Sequence, residues 1–402
     1  MLRHHGVTAQ QERIPLNDAA TRKLQVNIRY NYGMRRSLVL SKITLPVLTI
    51  AVLSGCSLVP LNYLPATADK ANVIGPDPNA PRLRPLSGAQ YENVASSAEV
   101  LGEMQVLFAR DENTLAGLAR QYDLGYQALR HGNPDVDPWL PREGTPVFLP
   151  TMNVIPDAPR DGILINLPSM RMMYFVPQSR DASLFMVTSH PIGIGREGWA
   201  TPIGTTHITQ KKRDPNWYPP ASVRAEHAAL GDPLPAVVPP GPDNPLGRFK
   251  MRLALPSYLI HGTNKPSGVG MRISHGCIRL YPEDIETLFD RVPTRTPVHI
   301  VDQPILAGWR DGVLYLEAHP PLAEDTRAIV SEANRVIAEA LARRDQGPIE
   351  VNRELVATIV ADKRGIPIPI TSEQGNIQQY LAASRVIENL RLDRSENSTA
   401  SR

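Results

Sequence analysis

One short stretch of the chain concentrates the residue types that carry out nucleophilic chemistry. Segment 259–280 contains His275, Cys277 and Arg279, and Cys277 is one of only two cysteines in 402 residues. If residues 273–280 are extended, these three side chains share one face, and the apolar residues that alternate with them face a core. A neighbouring imidazole and guanidinium are expected to lower the pKa of the thiol and raise its thiolate fraction. The pattern therefore predicts an activated cysteine.

A second histidine, His261, precedes this cysteine across a glycine-punctuated loop. Such a connection is typical of two strands brought side by side so that their ends meet. A Cys–His pair, with a third group that orients the imidazole, is the arrangement used for nucleophilic acyl transfer. Gly276, just before the thiol, leaves room for a substrate carbonyl and helps local amides point at a developing oxyanion.

Other interpretations of these residues stay open. A cysteine is often a small buried hydrophobe and a histidine often structural, but neither role accounts for the combination. His261, His275 and Cys277 could instead supply three zinc ligands, although no Cys-x-x-Cys or His-Glu-x-x-His accompanies them. Arg279 could form a surface ion pair, and His275 could be a scaffold. A thiol nucleophile without a metal is the favoured interpretation.

Two short motifs, His261-Gly262-Thr263 and Ser274-His275-Gly276-Cys277 followed by Ile278-Arg279, resemble the signature of the YkuD-type L,D-transpeptidases, in particular the ErfK/YbiS group of Gram-negative envelopes. The resemblance implies a mainly β catalytic domain that needs no cofactor. It also implies a role for each site residue: Cys277 as nucleophile, His261 as general base, the Gly262 carbonyl as the group that orients it, His275 as a supporting group, the Gly276 and Cys277 amides as an oxyanion hole, Arg279 and Ser274 as substrate contacts, and Trp217 as a wall of the donor cleft.

The same resemblance implies a substrate. The donor would be a peptidoglycan tetrapeptide stem, cut after meso-diaminopimelate. The acceptor would be the amine of another stem, giving a 3-3 crosslink, or the C-terminal lysine of an outer-membrane lipoprotein. Two alternatives remain: a hydrolase of the carboxypeptidase or amidase type that uses the same residues, and a wall-binding lipoprotein without catalysis. The second is disfavoured because it leaves the Cys–His constellation without a purpose.

The composition is that of an ordinary globular protein. Hydrophobic residues make up 42% and charged residues 21%. The net charge of +3 is too small to imply nucleic-acid binding, and no Lys/Arg run resembles a phosphate-tracking groove. The 39 prolines argue against a helical protein and favour a loop-rich β architecture, α+β overall.

Region 34–56 has the organisation of a secretory leader. It has a basic start, an almost uncharged apolar run over 43–53, and the closing sequence Leu-Ser-Gly-Cys that ends at Cys56. The run is short for a membrane span, although an uncleaved anchor helix is the alternative. The closing residues resemble a lipobox, which implies a lipidated Cys56 and a periplasmic lipoprotein anchored to the outer membrane. Residues 1–33 carry no motif, so we expect translation to begin at Met34.

Three further regions follow the leader. Residues 57–98 are predicted to be a linker. Residues 99–152 are predicted to fold as strand, helix, helix and strand, an order that resembles the glycan-binding LysM module; a docking domain without sugar affinity is the alternative. Residues 161–302 carry short β-prone runs and resemble the sandwich-like catalytic domain. Residues 303–402 are predicted to form a hairpin and a helical extension, either a packing brace or a partner-binding appendage.

Two smaller features complete the predicted catalytic domain. The Pro-dense loop 235–245 could cap the cleft and exclude water. The remaining histidines of this region, His190, His207 and His227, have no partner spacing and are expected to be structural or exposed.

Overall fold

The computed structural model of the chain describes residues 76, 90–178, 183–344, 347, 349–372 and 376–390. Several predictions fall outside these residues: the leader with Cys56, nearly all of the linker before residue 90, and the chain end after residue 390. None of the described helices is both long and apolar enough to cross a membrane.

Short strands dominate the described residues. The strands are β1 (Gln90–Ala95), β2 (Val100–Leu101), β3 (Gln105–Phe108), β4 (Pro146–Leu149), β5 (Asn153–Val154), β6 (Ile163–Asn166), β7 (Arg171–Pro177), β8 (Leu184–Pro191), β9 (Ile194–Gly195), β10 (Gly204–Arg213), β11 (Phe249–Leu253), β12 (Leu259–His261), β13 (Arg272–Ser274), β14 (Ile278–Arg279), β15 (Pro297–Val301), β16 (Ile305–Arg310), β17 (Val313–Ala318), β18 (Ile368–Pro369) and β19 (Arg385–Val386). The helices are α1 (Leu115–Gln121), α2 (Tyr126–Gly132), α3 (Ala221–Ala229), α4 (Pro282–Arg291), α5 (Ile329–Ala342), α6 (Arg353–Asp362) and α7 (Ile377–Ala382), with a 3-10 turn at Pro266–Gly268.

The N-terminal module, residues 99–152, has the predicted order of β3, α1, α2 and β4. Helix α1 begins after Thr114, whose hydroxyl accepts a hydrogen bond from the Gly117 amide at 3.0 Å. The side chain of Asn133 bonds the backbone of Phe148 in both directions, which ties the end of α2 to β4. The element prediction is confirmed, and the LysM identity of the module stays a prediction.

Nine strands form one sheet in the order β1-β8-β7-β6-β15-β10-β11-β12-β14. Eight belong to the catalytic region, and the edge strand β1 comes from the end of the predicted linker, so the linker prediction was wrong for residues 90–95. The long strand β10 joins its two halves, because residues 204–207 pair with β15 and residues 208–213 pair with β11. Both halves contribute to one core, which includes Ile165, Met172, Phe249, Met251 and Ile260. The mainly β prediction is confirmed, with one difference: the two layers are halves of a single curled sheet that share a strand.

The C-terminal region packs as a brace. Its predicted hairpin, β16 and β17, turns at Asp311-Gly312, and its core includes Val100 and Met104 from the flank of the N-terminal module. Strand β19 also pairs with β3 of that module. Of the two predicted roles, the packing brace is the one observed.

Apolar residues recur at helical spacing from Ala323 to Arg344 and predict one helix there, but α5 begins only at Ile329, six residues after Ala323. The Asp325 carboxylate accepts hydrogen bonds from the backbone and side chain of Arg327, which holds this stretch in a turn.

Candidate active site

The cysteine lies in a turn between two short strands. Strand β13 ends at Ser274 and β14 begins at Ile278, so the prediction of one continuous strand over 273–280 was wrong. The chain reverses at Gly276, whose φ of +99° suits glycine, and a Cβ there would lie 2.9 Å from the Tyr258 ring. Ile278 is buried in the core as predicted.

The sheet topology brings His261 beside the turn that contains Cys277. Strands β12 and β14 are parallel neighbours, with Ile260 opposite Ile278 and His261 opposite Arg279. Because paired residues of neighbouring strands point to the same face, His261 and Arg279 share a face, and Cys277 lies in the turn immediately before β14. The predicted adjacency of the two strand ends is confirmed, and the pairing is parallel.

The His261 imidazole is buried and oriented by backbone. Its Nδ1 lies 2.6 Å from the carbonyl oxygen of Gly262, the group predicted to orient it. Burial, with the positive charge of Arg279 adding to it, lowers the pKa of His261 to about 3. The ring is therefore neutral at pH 7, and its Nδ1 donates to the carbonyl, which leaves Nε2 as the basic nitrogen.

The Cys277 thiol is half-buried, and its Sγ lies 3.7 Å from the Ser257 carbonyl oxygen. Burial raises the pKa of this thiol, while the Leu259 backbone and the Arg279 charge act in the opposite direction. The expectation of a lowered pKa was therefore wrong, since desolvation outweighs the guanidinium. Both the Cys277 thiol and the His261 imidazole are therefore neutral at pH 7.

Hydrogen bonds inside the turn hold the backbone around the thiol. The buried Ser274 hydroxyl donates to the Cys277 carbonyl at 2.6 Å and accepts from the Gly276 amide at 3.1 Å. The Thr201 hydroxyl donates to the Gly276 carbonyl at 2.9 Å and accepts from the Gly195 amide at 3.1 Å. Ser274 thus stabilises the turn, and its hydroxyl already accepts the hydrogen bond of the Gly276 amide. Its substrate contact and the oxyanion role of the Gly276 amide stay predictions.

His275, the supporting group predicted from the sequence, belongs to a charged cluster beside the turn. Its Nε2 lies 3.0 Å from an oxygen of Glu226 in α3 and 3.3 Å from an Arg196 nitrogen, and its ring meets Trp199 edge-on at 4.8 Å. Arg196 also pairs with Glu226. Hydrogen bonds from Arg196 and His275 lower the pKa of Glu226. The position of His275 is that of a scaffold residue.

The lid segment, residues 214–247, connects β10 to β11 and contains both α3 and the predicted Pro-dense loop. The buried Asn244 side chain donates to the Pro215 carbonyl at 2.8 Å, which closes the base of the segment. Trp217 is half-buried, and its backbone pairs with Val238 inside the lid segment. The structure therefore places Trp217 in the lid, and its contact with substrate stays a prediction.

Comparisons with known proteins agree with this geometry. Residues 160–300 match the family model described as the L,D-transpeptidase catalytic domain, YkuD. The chain is 37% identical over 289 residues to "Probable L,D-transpeptidase YbiS" from Escherichia coli strain K12, covering 70% of this chain and 92% of that protein. The chain belongs to the L,D-transpeptidase family. "Probable L,D-transpeptidase YcfS" from the same strain is 43% identical over 219 residues, which span 53% of this chain and 67% of the relative.

A solved structure of the catalytic domain from an E. faecium L,D-transpeptidase is also similar. It is 22% identical, and the match covers 36% of this chain and 100% of that chain with a TM-score of 0.27.

Several residues at the site were missed by sequence reasoning. Arg196 and Trp199 lie in the loop between β9 and β10. Gly195 allows this loop to fold back on itself, because a Cβ there would lie 1.9 Å from the Trp199 carbonyl oxygen. The closely spaced glycines of this segment were the available signal. Glu226 had no signal, since an isolated carboxylate on a polar helix resembles any solvated residue.

Proposed function

We propose that this L,D-transpeptidase acts on tetrapeptide stems of peptidoglycan through a thioester on Cys277. The register of β12 and β14 is the observation that supports this most, because it pairs His261 with Arg279, two residues after Cys277. Arg279 interacts electrostatically with both groups. All three residues lie within the segment that matches the catalytic-domain model.

The neutral state of the pair defines the first step. Nε2 of His261 accepts the thiol proton as Sγ attacks the donor carbonyl carbon, so the thiolate forms during attack. The imidazolium then returns this proton to the departing amine as the C–N bond breaks, and the thioester remains. An acceptor amine attacks the thioester carbonyl, loses a proton to His261, and releases Cys277 as the thiol. The energy of the broken amide is retained in the thioester, so no cofactor enters the cycle.

Arg279 is the group best suited to hold the donor. Within the described part of the chain its Nε is buried and has no hydrogen-bond partner. A buried guanidinium donor of this kind suits a carboxylate, which accepts charge-assisted hydrogen bonds. We propose that Arg279 binds the free carboxylate of the diaminopimelate residue.

The wider setting of the enzyme belongs to the same proposal. The N-terminal module would bind the glycan, and a lipid on Cys56 would keep the enzyme in the periplasm at the outer membrane. The acceptor would be a second stem or a lipoprotein lysine. A hydrolase is the alternative function, because water could resolve the same thioester when the amine acceptor is absent.

Product analysis separates transfer from hydrolysis. The lipid-free chain from residue 57 onward is incubated with purified tetrapeptide muropeptides, and the products are resolved by liquid chromatography and mass spectrometry. Crosslinked dimers are expected. Tripeptides alone, in the presence of excess acceptor, would favour the hydrolase.

The Cys277→Ala variant tests the nucleophile. Both products should disappear, and a carbapenem adduct located to Cys277 in the parent should be absent. Turnover that persists in this variant would overturn the assignment of the thiol. Ser267→Ala, an exposed residue in the loop between His261 and Cys277, is the matched control and should leave turnover unchanged.

A further inference from the structure

A second group of chemically capable side chains lies where the N-terminal module meets the catalytic sheet. Asp123 lies between α1 and α2, His190 lies near the end of β8, and Asp284 lies in the first turn of α4. Their ligand-type atoms all lie within 4.8 Å of one another. His190 Nδ1 is 3.2 Å from an Asp284 oxygen and 4.0 Å from an Asp123 oxygen. Tertiary structure alone assembles this group.

The polar atoms of this group are buried without the partners that buried polar atoms normally have. Outside this group, both ring nitrogens of His190, both carboxylate oxygens of Asp123 and one oxygen of Asp284 have no hydrogen-bond partner among the described residues. His190 is only 3% exposed and Asp284 8% exposed. Because native proteins rarely leave several such atoms unsatisfied together, the group needs an occupant.

No nearby cationic side chain among the described residues pairs with these carboxylates. The closest candidate is the buried Arg171, whose Nη1 donates to the Ser189 hydroxyl at 2.9 Å. Among the described residues it forms no ion pair with Asp123 or Asp284. When both carboxylates are ionised, they carry two negative charges beside a neutral imidazole, and a divalent cation neutralises them.

We propose that Asp123, His190 and Asp284 bind one divalent transition-metal ion of the zinc class. Zinc bonds to nitrogen and oxygen are about 2.0–2.2 Å long, so two ligands of one ion can lie at most roughly 4.3 Å apart. The two separations from His190, 3.2 Å and 4.0 Å, meet that limit, and the two carboxylates, which lie within 4.8 Å of each other, would close by at most roughly 0.5 Å on an ion. The imidazole nitrogen and the small number of oxygens disfavour calcium and magnesium, which prefer more oxygen ligands.

The ion would fix the module against the catalytic loop. Asp123 comes from the module, and the other two ligands come from the catalytic sheet and its helix. At the same interface the Gln127 amide donates to the Gly270 carbonyl at 3.2 Å, and the Tyr281 hydroxyl donates to the Leu124 carbonyl at 3.1 Å. Gly270 lies in the loop that leads from His261 to Cys277. The role is structural and separate from the transfer chemistry.

Metal titration tests the proposal in a Cys277→Ala background, which removes the thiol that could bind zinc elsewhere in the catalytic region. Metal-free protein from residue 57 onward should bind one equivalent of Zn²⁺, and its Tm should rise with zinc concentration. Asp123→Asn and Asp284→Asn, which preserve side-chain size, should each weaken zinc affinity by at least about tenfold and abolish the Tm rise. Asp232→Asn is the matched control, because Asp232 faces His227 in an exposed pair at 3.3 Å, and it should change neither result.

Two results would overturn the proposal. The first is a parent protein whose Tm does not respond to zinc. The second is an unchanged zinc affinity in both asparagine variants. If either variant fails to fold, crystals of the zinc-loaded parent decide the question: an anomalous peak among the three side chains supports the site, and a peak elsewhere excludes it.

Discussion

Two buried histidines of this protein have opposite electrostatic surroundings. His261 is bonded to the Gly262 carbonyl and lies near the cationic Arg279, whereas His190 faces the carboxylates of Asp123 and Asp284. Burial lowers the pKa of His261 to about 3 and that of His190 to about 4. Both rings are therefore neutral at pH 7. Desolvation sets their protonation state, and their neighbours determine whether the neutral ring can serve as a base or as a ligand.

This difference predicts that substituting His261 impairs transfer alone and that substituting His190 impairs zinc binding alone. His261→Gln should lower kcat/KM for muropeptide transfer by about 10²–10⁴-fold, the usual contribution of a general base, and leave zinc affinity unchanged. His190→Gln should lose zinc binding and retain transfer within about tenfold, because it removes a metal ligand but leaves the base in place. The measurements are steady-state transfer kinetics and zinc titration. Equal losses of transfer in both variants would show that the two sites act as one.

The protonation state of the catalytic pair can be read from thiol alkylation. Because the pKa of Cys277 is raised and the pKa of His261 is far below 7, little thiolate exists at neutral pH. The iodoacetamide rate at Cys277 should rise about tenfold per pH unit from pH 5 to 8. The measurement is made on a Cys56→Ser variant, with the adduct located by mass spectrometry.

The alternative to a neutral pair is a thiolate–imidazolium pair. Such a pair would keep the alkylation rate nearly constant down to about pH 5 and would lose this plateau in His261→Gln. For the neutral pair, His261→Gln should leave the profile almost unchanged. A plateau in the parent would contradict the general-base mechanism.

The smallest expected effect concerns His275, a third histidine, which is more exposed and paired with the lid carboxylate. Glu226→Gln removes the charge that Arg196 and His275 share, and partly exposed pairs of this kind contribute little to stability. Transfer should fall by about two- to tenfold with Tm almost unchanged, since the lid loses its charged contact with the turn. The control is Asp232→Asn, at the exposed carboxylate that follows α3. A loss as large as that of His261→Gln would place Glu226 in the chemistry.

The sequence predicted those parts of the fold that depend on local pattern. The hairpin after residue 303, the strand, helix, helix and strand order of the N-terminal module and the short strands of residues 161–302 are all present, because turn residues, caps and β-branched runs act over a few residues. It failed at residues 275–277. There, Gly276 breaks the strand under the influence of Thr201 and Tyr258, which lie far away in the chain.

The candidate site residues also divide into those that local sequence indicates and those that only the tertiary structure brings together. The sequence alone predicted Cys277 and His261 as the candidate pair, because a thiol, an imidazole and their glycines were closely grouped. Tertiary structure decided the state of that pair, since burial raises the thiol pKa by an amount that no local pattern reveals. It also assembled Asp123, His190 and Asp284 from three separate elements. Their spacing of 67 and 94 residues carries no signal until the chain is folded.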